Sequence, residues 1–202
     1  MKLTFSPTSP YARKIRILLA EKGIEVESIE DSPWTADTGV TALNPLGKVP
    51  VLETDDGQVM FDSPVVAAYI EALDRPPHLL PAEPMAAVQV RQTEALADGI
   101  LDAALLVRLE GLRPEAAQLP EAIERQQAKI ERALAALETR LGGADCFHGD
   151  TLSLADIAAL CALEYLDFRL PTLPWRSRHP HLARFAERMG ARPNCVATRP
   201  QD

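Results

Sequence analysis

Three short stretches carry residue types that could hold a small peptide-like or anionic ligand: Ser9-Pro10, Val49-Pro50 and Asp62-Ser63-Pro64. Pro50 has no N–H to donate to a ladder, so it belongs at the start of a strand or on a sheet edge. A cis bond before it would turn the amide and carbonyl of Val49 outward, where an extended ligand backbone can pair with them, and such bonds are essentially confined to proline. Ser63-Pro64 offers a capping hydroxyl followed by a proline at the first helical position. The helix N-terminus beyond it attracts anions. One face could then hold a peptide by its backbone while a helix end takes its carboxylate. Taken singly, Val49-Pro50 also reads as a plain start of a strand and Ser63 as a cap and nothing more. The second Ser-Pro, at Ser9, makes the three a constellation.

The elements that must position these residues follow from pattern. Residues 49–52 and 59–61 are short apolar runs joined through Asp56-Gly57, a hairpin, and a helix over 64–73 follows with Val65, Val66, Tyr69, Ile70 and Leu73 inward. Upstream, Lys2–Phe5 reads as a strand. A loop rich in serine and proline leads from it to a helix capped by Ser9, started by Pro10 and stopped by Gly23, and 24–29 reads as a second strand. Arg13, Lys14 and Arg16 on that helix read as a solvated face. The result is βαβ followed by ββα, one small sheet covered by helices.

Four prolines within residues 75–84 stiffen a connector, so the boundary is placed there, with domains at 1–76 and 84–202. Beyond it alanine and leucine dominate. Helices are expected at 85–110 and 121–141, with Gly142-Gly143 stopping the latter, then from Ser153 with Asp156 as reciprocal cap, and at 181–189. Cys161 falls among the interior residues of the third of these. Arg91, Glu94, Asp98 and Asp102 form one stripe along the first, either a solvated face or the lining of a cleft or subunit interface. The architecture is α/β followed by an all-α bundle.

The chain has 202 residues, 47% hydrophobic and 25% charged, with a net charge of -8. That is an ordinary globular composition, and its acidity argues against a nucleic-acid partner. No apolar run approaches the roughly 18 residues of a membrane span, and proline at residue 7 interrupts any signal-peptide core. Cys146, Cys161 and Cys195 are odd in number and widely spaced, which argues against a disulfide framework and for a reducing cytoplasm. His179 and His181 are poorly spaced as ligands, so no metal is assigned.

Together these features resemble the cytosolic glutathione S-transferase superfamily, bacterial and serine-type, over the whole chain. SPYARKIRILLAEKG is similar to its catalytic loop and first helix, NPLGKVPVL to the strand with its cis-proline, and Asp62-Ser63 to its γ-glutamyl site. SLADIAA is similar to its capping box and RPNCVATRP to its C-terminal ending. The resemblance implies a thioredoxin-like domain binding glutathione as co-substrate, a helical domain lining the site for a small hydrophobic electrophile, a homodimer and a role in detoxification. Ser9 takes the place of the catalytic serine. Lys48, Val49 and Pro50 would meet the glutathione backbone, Asp62 and Ser63 its γ-glutamyl end. Asp98 would reach the ligand's amino group across the dimer, and Tyr11 would wall the electrophile pocket.

A thiol of pKa about 8.5 needs roughly 2.7 kcal/mol of preferential anion stabilisation to fall by two units. A hydroxyl donating to the thiolate gives about 1.5–3 kcal/mol and a helix N-terminus about 0.3–1 kcal/mol. Ser9 stands where both act, although Thr8 and Ser6 also carry hydroxyls. No cysteine occurs between residues 1 and 145, which disfavours a mixed-disulfide mechanism on this loop. A glutathione-dependent disulfide reductase or peroxidase using two glutathiones remains a rival, as does a non-catalytic glutathione-binding interaction module.

Overall fold

β1 (Lys2–Phe5) lies inside a four-stranded sheet of order β2-β1-β3-β4, and for that reason Leu3, Thr4 and Phe5 are all buried. The structure is a computed structural model and describes residues 1–200. β2 (Glu27–Glu30) runs parallel to β1. A parallel pair needs a long crossover, supplied by α1 (Pro10–Glu21). β3 (Val51–Glu53) pairs antiparallel with β1, Leu52 opposite Leu3, and β4 (Val59–Met60) closes the hairpin on β3. Gly57 supplies the left-handed turn residue at φ 82°, and the Thr54 hydroxyl accepts the Gln58 amide at 2.9 Å. Between β2 and β3 lies the single turn α2 (Val40–Leu43), and α3 (Ser63–Ala72) follows β4.

β2 begins three residues later than the sequence suggests. The amides of Gly23 and Ile24 turn back to the carbonyls of Ala20 and Leu19, and buried Ile24 closes the end of α1 instead of opening the strand. On α3, Val65 is 49% exposed and Ala67 takes an inward place.

The basic residues of α1 are not a solvated face. Arg13 and Lys14 are 2% and 0% exposed. The Arg13 guanidinium donates to the Cys195 carbonyl at 3.1 Å, so its charge is held within the structure. Arg16 lies 4.6 Å from the centroid of the Phe5 ring, and burial, with Arg13 nearby, pulls its pKa below the ordinary guanidinium value. Helical spacing alone cannot distinguish a solvated basic face from one covered by a distant segment.

The chain divides into two compact units. Of the described residues, the first holds 1–79 together with 192–200, and the second holds Leu80–Ala191. The sequence-based boundaries give that last segment to the helices. Instead α9 (Pro193–Val196) packs on α1, and Arg192 pairs with Glu21 at 2.8 Å. Within the first unit the connector is fastened by Lys22. Its buried ammonium meets Glu71 at 2.9 Å and donates to the carbonyls of Arg75 and Pro77 at 2.6 and 2.8 Å.

The second unit is all helical: α4 (Pro84–Gly111), a 3-10 turn (Glu115–Ala117), α5 (Pro120–Leu141), α6 (Leu154–Arg169), α7 (Trp175–Arg178) and α8 (Pro180–Gly190). α6 is apolar almost all round and buried on every side through its first ten residues. It packs against α4 and α8. The Asp156 carboxylate takes the amide and hydroxyl of Ser153 at 2.8 and 2.7 Å and the amide of Phe147 at 2.9 Å, which fixes where α6 begins. Among the described residues no helix is long and apolar enough to cross a membrane.

Candidate functional site

The Ser-Pro pair at the start of α1 forms the cap its sequence implies. Ser9 has extended backbone at φ −79°, ψ 117°, and its hydroxyl oxygen accepts the Ala12 amide at 3.2 Å. A hydroxyl has one proton and two lone pairs, so capping uses an acceptor site and leaves the proton to donate elsewhere. Ser9 is half-buried. The other two hydroxyls of the loop are arranged differently. Ser6 is buried, and its Oγ lies 3.3 Å from Thr8 Oγ1. Tyr11, half-buried, follows Pro10 in the first turn of α1.

The second Ser-Pro pair departs from the expectation. The residue capping α3 is Asp62, whose carboxylate accepts the Ser63 amide, and Ser63 is already helical with Pro64 behind it. A carboxylate one residue earlier is at least as good a cap as the hydroxyl and takes the position first. The Ser63 hydroxyl is thereby released from capping. It is fully buried and makes no hydrogen bond to any described residue.

Val49 lies two residues ahead of Val51, the first β3 residue paired with β1, so its amide and carbonyl fall outside that ladder. The Val49–Pro50 peptide is cis, as are Phe61–Asp62 and Pro76–Pro77. Val49 and Pro50 are buried and Lys48 is exposed. One residue that fixes this segment escaped the sequence reading. Asn44, 2% exposed, donates from Nδ2 to the Lys48 carbonyl at 2.8 Å and accepts the Leu46 amide on Oδ1 at 2.9 Å. Its signal was the Asn-Pro-Leu-Gly turn, with Gly47 at φ 61°.

Ser9, Val49 and Ser63 thus belong to the loop after β1, the segment before β3 and the first turn of α3, all within the first unit. Asp98 is in the second unit, half-buried on α4. Its stripe is graded: Glu94 is buried and pairs with Arg91 at 2.9 Å, whereas Asp102 is exposed. Among the described residues no group of three or more His, Cys, Asp or Glu side chains could hold a metal ion.

Residues 8–73 match the model of the glutathione S-transferase N-terminal domain, and residues 120–188 match that of the C-terminal domain. The chain belongs to the glutathione S-transferase family. It is 46% identical over 200 residues to the uncharacterized GST-like protein YibF of Escherichia coli, covering 99% of this chain and 98% of that one. Among solved structures, a glutathione S-transferase of Methylobacterium radiotolerans in complex with glutathione sulfonate is 42% identical. Its TM-score is 0.94, and the match covers 100% of this chain and 95% of the other. A glutathione transferase family member of Pseudomonas fluorescens holding S-(propanoic acid)-glutathione is 37% identical, with a TM-score of 0.88 and 99% of each chain covered. The α/β unit followed by an all-helical unit is accordingly the glutathione S-transferase fold.

Proposed function

We propose that the protein is a glutathione transferase that activates the glutathione thiolate for attack on a small, largely hydrophobic electrophile. The observation that supports this reading best is the Ser63 hydroxyl, fully buried at the first turn of α3 without a hydrogen-bond partner. Leaving such a group unsatisfied costs about 1–3 kcal/mol, and a ligand carboxylate at the N-terminus of α3 would accept its proton. The γ-glutamyl carboxylate of glutathione is that ligand group. Val49, outside the ladder, pairs with the peptide backbone, Lys48 and Pro50 border it, and Asp62 faces the γ-glutamyl amino end. Ser9, with its lone pair used by Ala12 and its proton available, donates to the sulfur anion. The relatives that hold glutathione derivatives support the same ligand class.

The reading extends to a homodimer whose seam includes α4, with Asp98 the acid for the ligand's amino group. Sedimentation of a 22.1 kDa species at micromolar concentration would remove that extension. The main test is calorimetric titration with glutathione, followed by turnover of a panel of electrophiles and disulfides. Saturable binding with conjugation of small electrophiles is the expected result. Absence of glutathione binding at millimolar concentration would overturn the proposal, and turnover of disulfides alone would move it to the reductase.

A further inference from the structure

Within the helical unit a buried hydroxyl joins a histidine to an arginine. Thr93 on α4 is fully buried, and three groups meet its oxygen. The Gln89 carbonyl, one turn back on α4, lies at 3.2 Å. Arg140 Nη1, from the last turn of α5, lies at 2.6 Å, and His148 Nε2, from the loop between α5 and α6, at 2.8 Å. A threonine hydroxyl has one proton and two lone pairs. All three contacts are hydrogen bonds only when the hydroxyl gives its proton to the Gln89 carbonyl and accepts from Arg140 and His148. His148 therefore carries its proton on Nε2, and Nδ1 is the nitrogen that gains one on acidification.

The histidine belongs to the loop over residues 142–153, where two adjacent residues reach different helices. Phe147 gives its amide to Asp156 of α6 at 2.9 Å and sets its ring against Phe185 of α8, centroids 5.2 Å apart, whereas His148 reaches Thr93 on α4. A charged His148 would share one oxygen with the Arg140 guanidinium, and two like charges that close repel, the more so because His148 is half-buried. The other charges around the loop are already engaged. Asp156 takes the amides of Phe147 and Ser153 and the Ser153 hydroxyl, and Arg188 of α8 pairs with Asp145. Asp150 is exposed to water, and α4 presents the neutral Gln89, Gln92 and Thr93, of which Gln92 accepts from Arg140 at 3.2 Å. Burial, and then the Arg140 charge, pull the imidazole below its ordinary value of 6.5 against the opposing charge of Asp156. A histidine so depressed contributes its full stabilisation above that ordinary value and loses it as pH falls below.

We propose that His148 is an acid-sensitive clasp: neutral, it fastens the loop between α5 and α6 to α4, and on gaining a proton at Nδ1 it sets a second cation against Arg140 and lets the loop go. The loop is the partner that yields, because Thr93 and Arg140 are held on long helices and His148 is not. The clasp lies entirely within the second unit, so it stands apart from what the first unit binds.

The test follows amide hydrogen exchange and the assigned histidine resonances of the whole protein from pH 7.5 to 5.0. Protection factors, which remove the intrinsic pH dependence of exchange, should fall by about three- to tenfold over residues 144–152 while the amides of α4, α5 and α6 keep theirs, the effect of one lost hydrogen bond. His148 should titrate below 6.5. In His148→Gln the side-chain amide can still donate to Thr93 but takes up no proton, so the loop should stay protected at both pH values. Arg140→Gln, which removes the neighbouring cation, should bring the His148 midpoint up toward 6.5 and lessen the loss of protection. A loop equally protected at pH 7.5 and 5.0 in the wild-type protein would overturn the clasp, as would the same acid loss in His148→Gln or a loss spread evenly over the three helices. A His148 midpoint at or above 6.5, read on the wild-type protein alone, would overturn it whether or not the variants fold.

Discussion

The two Ser-Pro helix starts share a dipeptide and differ in what their hydroxyls do. At α1 the residue before Ser9 is Thr8, and Ser9 itself is the cap, its oxygen committed to the Ala12 amide. At α3 the residue before Ser63 is Asp62, the cap moves back by one position, and the Ser63 hydroxyl is left buried without a partner. The preceding residue decides whether the serine holds the helix or is held in reserve for something else. Stability and ligand binding should therefore respond in opposite ways at the two sites.

Ser63→Ala should show the larger effect on binding. It removes a donor to an anion, about 1.5–3 kcal/mol, so glutathione affinity should fall by about ten- to a hundredfold by calorimetry. Unfolding by urea should find the variant as stable as the parent, or more stable by up to about 1 kcal/mol, because a buried hydroxyl without a partner has gone. A clear loss of stability would mean that Ser63 is structural after all.

Ser9→Ala should reverse the pattern. Glutathione affinity should change little, while conjugation at neutral pH falls by roughly ten- to a hundredfold, the equivalent of about 1.4–2.7 kcal/mol of lost thiolate stabilisation. The same change removes a working cap and should cost about 1 kcal/mol of stability. Wild-type rates across the pH range would move the hydroxyl assignment to Thr8 or Ser6. Ser9→Cys is the companion experiment. A thiol at a helix N-terminus has a lowered pKa, so the variant should gain thiol exchange at the expense of conjugation, read with a disulfide substrate.

The same pair of helix starts shows how far sequence reaches. Capping at Ser9, the Asp56-Gly57 turn and the Ser153/Asp156 start of α6 are local patterns, each settled within about four residues, and all were legible. Capping at Asp62 was also local but was misassigned to Ser63, because two good caps in succession leave the choice to backbone geometry. The burial of Arg13 and Lys14 was not legible. What covers Arg13 includes Cys195, 182 residues away along the chain, and no helical spacing encodes that contact.

The smallest expected effect separates the two jobs assigned to Asp62. As cap it needs only an acceptor oxygen on a short side chain, and asparagine ranks beside aspartate in that role. As the group facing the γ-glutamyl amino end it needs a negative charge. Asp62→Asn should therefore keep stability within a few tenths of a kcal/mol, because the amide oxygen can still accept the Ser63 N–H. Glutathione affinity should fall by a few-fold, the scale of an exposed ion pair, and that loss should shrink as salt is raised. Asp62→Ala removes the acceptor as well and should add a stability cost of about 1 kcal/mol to the same binding loss. If Asp62→Asn binds glutathione as the parent does at low salt, Asp62 is a cap alone, and recognition at α3 falls to Ser63 and the helix end.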